Sequence, residues 1–323
     1  MKKILALTLA VLMLCTPFLV SCGKKAKYTV GICQLVQHPA LDSATKGFKD
    51  ALVAILGDDV AFDEQNAANS VDTCSTIVST FVTKKVDLIM ANATPALQAA
   101  QNATTEIPIL GTSITEYGVA LGIENFNGTV GTNISGTSDL APLDKQAQMI
   151  LDLVPTAKTV GLLYCASEPN SAYQVKVVAE YLASKNIATK DYKFSDSNDV
   201  QLIAQKAASE CDAIYIPTDN TAASCAESIW GAVAEKKTPI IAGESGTCAG
   251  CGIAALSIDY YDLGYKTGEM AAKILKGEAK VSEMAIEYTP ADKLTKFYNK
   301  EICEAVGIDT AALEAQGYKA LQK

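Results

Sequence analysis

The chain has 323 residues, 49% apolar and 20% charged, which is ample for one large or two ordinary packed domains and too apolar for disorder. Its formal charge is −9, each of its 27 basic residues is lysine, and His38 is its one histidine. This balance repels nucleic acid and anionic lipid, provides no bidentate guanidinium clamp for anions, and excludes any metal site or acid/base pair that needs two imidazoles.

Lys2 and Lys3 precede an apolar stretch over residues 4–20 that closes on Leu19-Val20-Ser21-Cys22. A run of about 17 residues interrupted by Pro17 is short for a membrane span, which wants about 20, and its order predicts an export signal. The closing tetrapeptide resembles a bacterial lipobox, which predicts removal of residues 1–21, lipidation of Cys22 and a polar tether over 22–27. A plain signal peptide with an incidental cysteine is the alternative.

From Tyr28 onward, short apolar runs alternate with longer helical stretches, the pattern of parallel strands covered by helices. The first set predicts strands over 28–35, 60–62, 86–91 and 107–111, with helices over 41–56, 72–83 and 95–103. A second set predicts strands over 159–165, 211–216 and 239–243, with helices over 172–184, 200–209 and 223–235. Further on, strands are expected at 253–259 and 284–288, and helices at 263–275, 300–306 and 310–321. The two sets resemble one another: Asp87-Leu88-Ile89-Met90-Ala91-Asn92 parallels Asp212-Ala213-Ile214-Tyr215-Ile216-Pro217 at an offset of about one domain. The fold class expected is α/β, two Rossmann-like lobes with parallel sheets and a cleft between them.

Ligands of parallel α/β sheets lie beyond the carboxyl ends of the strands. The residues expected there are Gln34, the loop 37–42 with His38 and Asp42, Gln65, Asn66, Asn92, Thr94, Thr112, Ser113, Ser167, Glu168, Asn170, Ser171, Thr218, Asp219, Asn220, Glu244 and Ser245. Hydroxyls, amides and a few acids of this kind suit a small zwitterion: helix starts and hydroxyls hold a carboxylate, and Asp219 or Glu244 neutralises an ammonium. No nucleophile with a partner base emerges, and no Gly-rich phosphate loop follows a strand, so neither catalysis nor a cofactor is expected. Eight cysteines lie beyond the leader, and burial is expected for most. Cys248 and Cys251 have CxxC spacing with no second pair or histidine beside them, so a local disulfide or two free thiols is expected.

Cys22, the segment 30–42, Val86-Asp87-Leu88-Ile89 with Ala93-Thr94-Pro95-Ala96, Gly136-Thr137-Ser138-Asp139-Leu140, the segment 212–221 and Ile258-Asp259-Tyr260-Tyr261-Asp262 resemble the TrpX-like family of ABC-transporter substrate-binding lipoproteins. The resemblance implies a type I periplasmic-binding-protein fold with a three-crossover hinge, a monomer anchored by lipid outside the bacterial cell membrane, and delivery of an aromatic amino acid, tryptophan or tyrosine, to an ABC permease. It places the crossovers near 135–139, 257–261 and 288–291. Lobe 1 is then 28–136 plus 260–289, and lobe 2 is 137–259 plus 290–323. It also implies a pocket drawn from Gln34, Thr94, Ser113, Asn170, Ser171, Thr218, Asp219, Asn220, Glu244 and Asp259. Tyr117, Tyr173 and Phe48 are candidates for an aromatic wall, although packed lobe surface is the stronger reading of each. The chain departs from the family pattern at Glu116-Tyr117 and in the loop 247–251. A cell-surface hydrolase or thiol enzyme using His38 or Cys248/Cys251, and a sensor or adhesin on the same fold, are the rival functions.

Overall fold

In the computed structural model, which describes residues 25–321, strand and helix alternate through most of the chain. The expected export signal and Cys22 lie outside the described residues. In the first lobe, β1 (Tyr28–Gln34), α1 (Pro39–Leu56), β2 (Val60–Asn66), α2 (Val71–Lys84), β3 (Leu88–Asn92), α3 (Thr94–Ala103), β4 (Ile109–Ile114), α4 (Tyr117–Leu121) and β5 (Ile134–Ser138) follow one another. In the second lobe come α5 (Leu143–Leu153), β6 (Thr159–Cys165), α6 (Pro169–Ser184), β7 (Ala188–Phe194), α7 (Val200–Glu210) and β8 (Ala213–Ile216). These lead into α8 (Asn220–Ser224), α9 (Ala226–Val233), β9 (Ile240–Ala242), α10 (Ser245–Cys251) and β10 (Ala254–Ser257). The chain then returns to the first lobe for α11 (Tyr260–Leu275) and β11 (Glu287–Tyr288), and ends in the second with β12 (Thr295–Tyr298), α12 (Lys300–Val306), α13 (Thr310–Ala315) and β13 (Lys319–Ala320).

Strand order is β11-β5-β4-β3-β1-β2 in one sheet and β13-β12-β10-β9-β8-β6-β7 in the other. All pairs are parallel except β10 with β12. The inner strands β3, β4 and β8 are buried along their whole length, as parallel strands covered on both faces must be. The internal repeat has a structural counterpart. Asp87, just before β3, accepts a hydrogen bond from the Thr29 N–H at 2.7 Å, and Asp212, just before β8, accepts from the Lys158 and Thr159 N–H groups at 2.8 and 2.9 Å. In each lobe the same acid secures the start of the neighbouring strand.

Helices cover both faces of each sheet. On one face of the first, Phe48 and Leu52 of α1 and Met270 and Ala271 of α11 pack on Val30, Ile32, Leu88, Met90 and Leu110. On the other, Phe81, Val78 and Leu97 of α2 and α3 pack on Cys33, Ile89 and Ile109. α1 and α11 meet through glycine: a Cβ at Gly264 would fall 1.9 Å from the Ala44 carbonyl oxygen, and one at Gly47 would fall 2.1 Å from that of Tyr261. The missing side chains let the two backbones touch, which seats α11 on lobe 1 from its first turn.

The chain passes between the sheets three times, after β5, after β10 and after β11. No helix among the described residues is long and apolar enough to cross a membrane. Some expected elements change. The helix expected over 223–235 is divided at Cys225 into α8 and α9, and that over 310–321 stops at Ala315, where Gly317 turns with φ 83° toward β13.

Candidate functional site

The carboxyl ends of the two sheets face one another. The loop after β1 reaches across through the His38 Nε2, 3.3 Å from Asn220 Oδ1, and the loop after β2 through the Asn69 Nδ2, which donates to Thr221 Oγ1 at 3.0 Å. Asn220 Nδ2 donates to Glu168 at 2.8 Å, which fixes Oδ1 as the acceptor and therefore places a proton on His38 Nε2. His38 Nδ1 is buried without a partner.

On the lobe 1 side the strand ends are conformationally strained. Ala93, which starts α3, has φ 88° and ψ 157°, a region proper to glycine, and Ser113 sits at φ 55° in an irregularity of the β4–β5 pairing. Non-glycine residues hold such values at about 1–3 kcal/mol each, and only where the surroundings over-determine them. They leave the start of α3, which has no side-chain cap, and the unpartnered, buried Ser113 Oγ beside the cleft. The first N–H groups of a helix lack intrahelical acceptors and attract negative charge.

On the lobe 2 side, α6 also starts without a side-chain cap, and Asn170 in its first turn donates through Nδ2 to the Thr218 carbonyl at 3.0 Å while its Oδ1 has no partner. The acids here are already engaged. Asp219 accepts from the Ala222 and Cys165 N–H groups at 2.8 and 2.7 Å and from the Ser171 hydroxyl at 2.8 Å. Glu168 accepts from the N–H groups of Asn220 and Thr221 and from both their side chains. Burial and the adjacent Glu168 charge push the Asp219 carboxyl upward. Glu244 accepts from the Gly246 and Thr247 N–H groups at the start of α10. Asp219 and Glu244, the residues expected to neutralise an ammonium, therefore serve helix starts.

Of the ten expected pocket residues, Thr94, Ser113, Asn170, Ser171, Thr218, Asp219, Asn220 and Glu244 stand at strand ends or helix starts on the two facing edges. Two lie apart. Gln34 is turned into lobe 1, where it donates to Val36 and Asp42 and accepts from Thr45, at the base of a 610 Å³ depression on that lobe. Asp259 is exposed, caps α11 through the Asp262 N–H at 3.1 Å, and borders a 400 Å³ hollow with Tyr288 and Pro290. Two of the aromatic candidates belong to the core. Phe48 is fully buried under α11, and the Tyr117 hydroxyl donates to the Gly111 and Thr137 carbonyls at 3.0 and 3.1 Å. Tyr173 remains half-buried near Glu116 and Tyr288.

One residue of the site was not among those expected. Asp139, immediately after β5 on the first crossover, is 3% exposed; Tyr260 at the start of α11 donates to its Oδ2 at 2.9 Å, and its Oδ1 has no partner. Burial, with a smaller contribution from the Glu244 charge and against the Tyr260 and Thr115 hydroxyls, pushes its carboxyl up to about 6. The segment Gly136–Leu140 was legible as a motif and a crossover, yet nothing in it distinguishes an unpaired acid from a helix cap.

The eight cysteines among the described residues are free thiols. Cys248 and Cys251 lie fully buried in α10, and burial pushes both thiols well above their ordinary value, the opposite of what a thiolate nucleophile needs.

Two Rossmann-like lobes whose strand ends close over a polar cleft, joined by three crossovers, make this a solute-binding protein of the type I periplasmic-binding-protein fold. The chain belongs to the ABC transporter substrate binding protein family, whose model matches residues 29–314. A protein of Clostridioides difficile (strain R20291) called tyrosine-binding protein is 38% identical over 92% of this chain and 85% of its own length. An ABC domain from Streptococcus pneumonia in complex with L-Trp superposes with a TM-score of 0.85 at 29% identity, covering 92% of this chain and 100% of that one. The ligand-free, open structure of a substrate binding protein with adhesive properties from Clostridium difficile gives 0.68 at 38% identity, covering 91% and 100%. The more similar sequence gives the less similar shape. Two hydrogen-bond contacts, His38–Asn220 and Asn69–Thr221, cross the cleft here.

Proposed function

We propose that this chain is the extracytoplasmic, lipid-anchored receptor of an ABC importer, and that it encloses an aromatic L-amino acid, tyrosine or tryptophan, by hinge closure. The observation that carries the reading is that both lobes and the hinge contribute buried polar atoms without a partner, among them Ser113 Oγ, Asn170 Oδ1 and Asp139 Oδ1. Buried polar atoms normally have partners, and three of them at the strand ends, helix start and crossover of the facing edges match a cargo that brings its own donors and acceptors. The carboxylate of the cargo is assigned to the start of α3 and Ser113, with Thr94 beside them, and its side chain to the space toward Tyr173. Asn170, Ser171, Thr218, Asp219, Asn220 and Glu244 form the lobe 2 wall that meets it on closure. Gln34 and Asp259 support lobe 1 and the hinge. The names of the relatives, one for tyrosine and one in complex with L-Trp, support the aromatic assignment. Closure on such a cargo requires no covalent step, and the chain acts as a monomer that hands its cargo to the permease.

A thermal-shift panel of the twenty amino acids tests the reading. At about one hundred times Kd, a bound ligand adds about 2.7 kcal/mol to stability; tyrosine or tryptophan raises Tm in this scheme and sugars leave it unchanged. Absence of a shift with every aromatic amino acid removes the aromatic assignment, and absence with all twenty removes the class.

A further inference from the structure

The buried carboxylates around the cleft are of two kinds. Asp219, Glu168 and Glu244 each accept at least two backbone N–H groups, so their charge is satisfied by the fold. Asp139 has hydroxyl neighbours alone, the Tyr260 phenol on Oδ2 and the Thr115 hydroxyl beside it, and its Oδ1 has no hydrogen-bond partner. The charged group that acts on it, Glu244 from the β9–α10 turn, carries the same sign; the other titratable groups facing it are Tyr260 of α11 and Tyr117 of α4. An ionised carboxylate buried without a counter-charge is among the most costly arrangements a fold can hold. Its position is central. Tyr260, which holds it, also lies near Thr218 at the end of β8 and Glu244 at the end of β9, and Thr115 beyond the end of β4 lies near the carboxylate itself. Asp139 therefore stands on the first crossover among residues of both lobes and the hinge.

We propose that Asp139 is the residue that pairs with the ammonium group of the cargo, so that the cleft selects small molecules bearing a primary amine. The assignment rests on the amino-acid reading above and goes beyond it by naming the charge that the cargo must carry. An ammonium supplies a unit positive charge and three donors, the complement of the bare Oδ1. Pairing fixes the carboxylate in its ionised form, so binding releases a proton from the fraction of molecules protonated at Asp139 and weakens as pH falls through about 6.

Calorimetry with L-tyrosine, L-tryptophan, tyramine and 3-(4-hydroxyphenyl)propionate tests this, using the wild type and Asp139→Asn, whose side-chain oxygen still accepts from Tyr260. The variant is expected to lose at least about 30-fold in affinity for the amino acid, as removal of one member of a buried charge pair does, and to bind the propionate as the wild type does. Near pH 6, in two buffers of different ionisation enthalpy, the wild type releases protons on binding and the variant does not. Undiminished affinity in the variant, or a wild type that binds the propionate as tightly as tyrosine, overturns the pairing. If Asp139→Asn does not fold, the proton release and the propionate comparison on the wild type alone decide. The two readings fail separately: tyramine bound while tyrosine and tryptophan are not, with the same loss in the variant, removes the amino-acid reading and keeps the pairing.

Discussion

Gly264→Ala adds one methyl group where α11 crosses α1, 1.9 Å from the Ala44 carbonyl oxygen and 2.6 Å from its carbon. Both neighbours are backbone, so no rotamer change relieves the clash. Restoring ordinary contact requires the helices to part by about 1.5 Å locally, and a gap of even 0.5–1 Å already forfeits a quarter to a half of each contact's attraction. The side chains that lose it are buried ones, Phe48 and Ala51 of α1 with Leu263 and Ala271 of α11. Overpacking of this kind costs about 1–3 kcal/mol, and an unyielding backbone neighbour puts the site at the upper end. Better helix propensity returns about 1 kcal/mol, leaving a net loss of about 2 kcal/mol. For a unit of this size each kcal/mol moves Tm by about 2–4 °C, so thermal unfolding followed by circular dichroism is expected to shift down by about 4–8 °C. Gly231→Ala is the control: it lies in α9, and a Cβ there meets nothing within 4 Å, so it gains the propensity without the clash. A Gly264→Ala protein as stable as the wild type, or a Gly231→Ala protein equally damaged, refutes the reasoning.

Asp219→Ala is expected to destabilise by about 2–4 kcal/mol, because it removes the cap of α8 and strands the buried Cys165 N–H and Ser171 hydroxyl; denaturant unfolding that leaves the midpoint unmoved contradicts this. Asp139 makes a prediction about pH with the opposite sign from a salt-bridged acid. Its folded pKa of about 6 exceeds the unfolded value near 3.9, so the folded state binds more protons between the two, and stability from this group is full below about pH 4 and lost as pH rises through 6. The loss is on the order of 3 kcal/mol. Without amino acid present, Asp139→Asn is therefore expected to be more stable than the wild type at pH 8, with the advantage fading toward pH 4.5; a Tm difference that is the same at both pH values sinks the argument.

The central strands were legible because burial on both faces demands a continuous apolar run, as in Val160 to Cys165 of β6 and Ala213 to Ile216 of β8. β7, with the sequence Ala-Thr-Lys-Asp-Tyr-Lys-Phe, escaped notice because it is an edge strand in which Tyr192 and Phe194 alone are buried, and such a strand is hard to tell from a loop by composition. β12 escaped for its shortness and its antiparallel return. The acids at strand ends were located by their spacing, but spacing does not reveal what already satisfies them. Asp219 before Asn220-Thr221 reads equally as a helix cap or a ligand group, and the fold uses it as the cap. Asp139 reads as part of a linker, and its bare Oδ1 is visible only in three dimensions.

The contacts described across the mouth of the cleft join an imidazole to an amide and an amide to a hydroxyl. Groups of this kind are as content in water as against each other, so these two contacts do little to hold the rims shut. Traffic through the cleft then depends more on the strength with which the guest holds the halves together than on these two polar clasps.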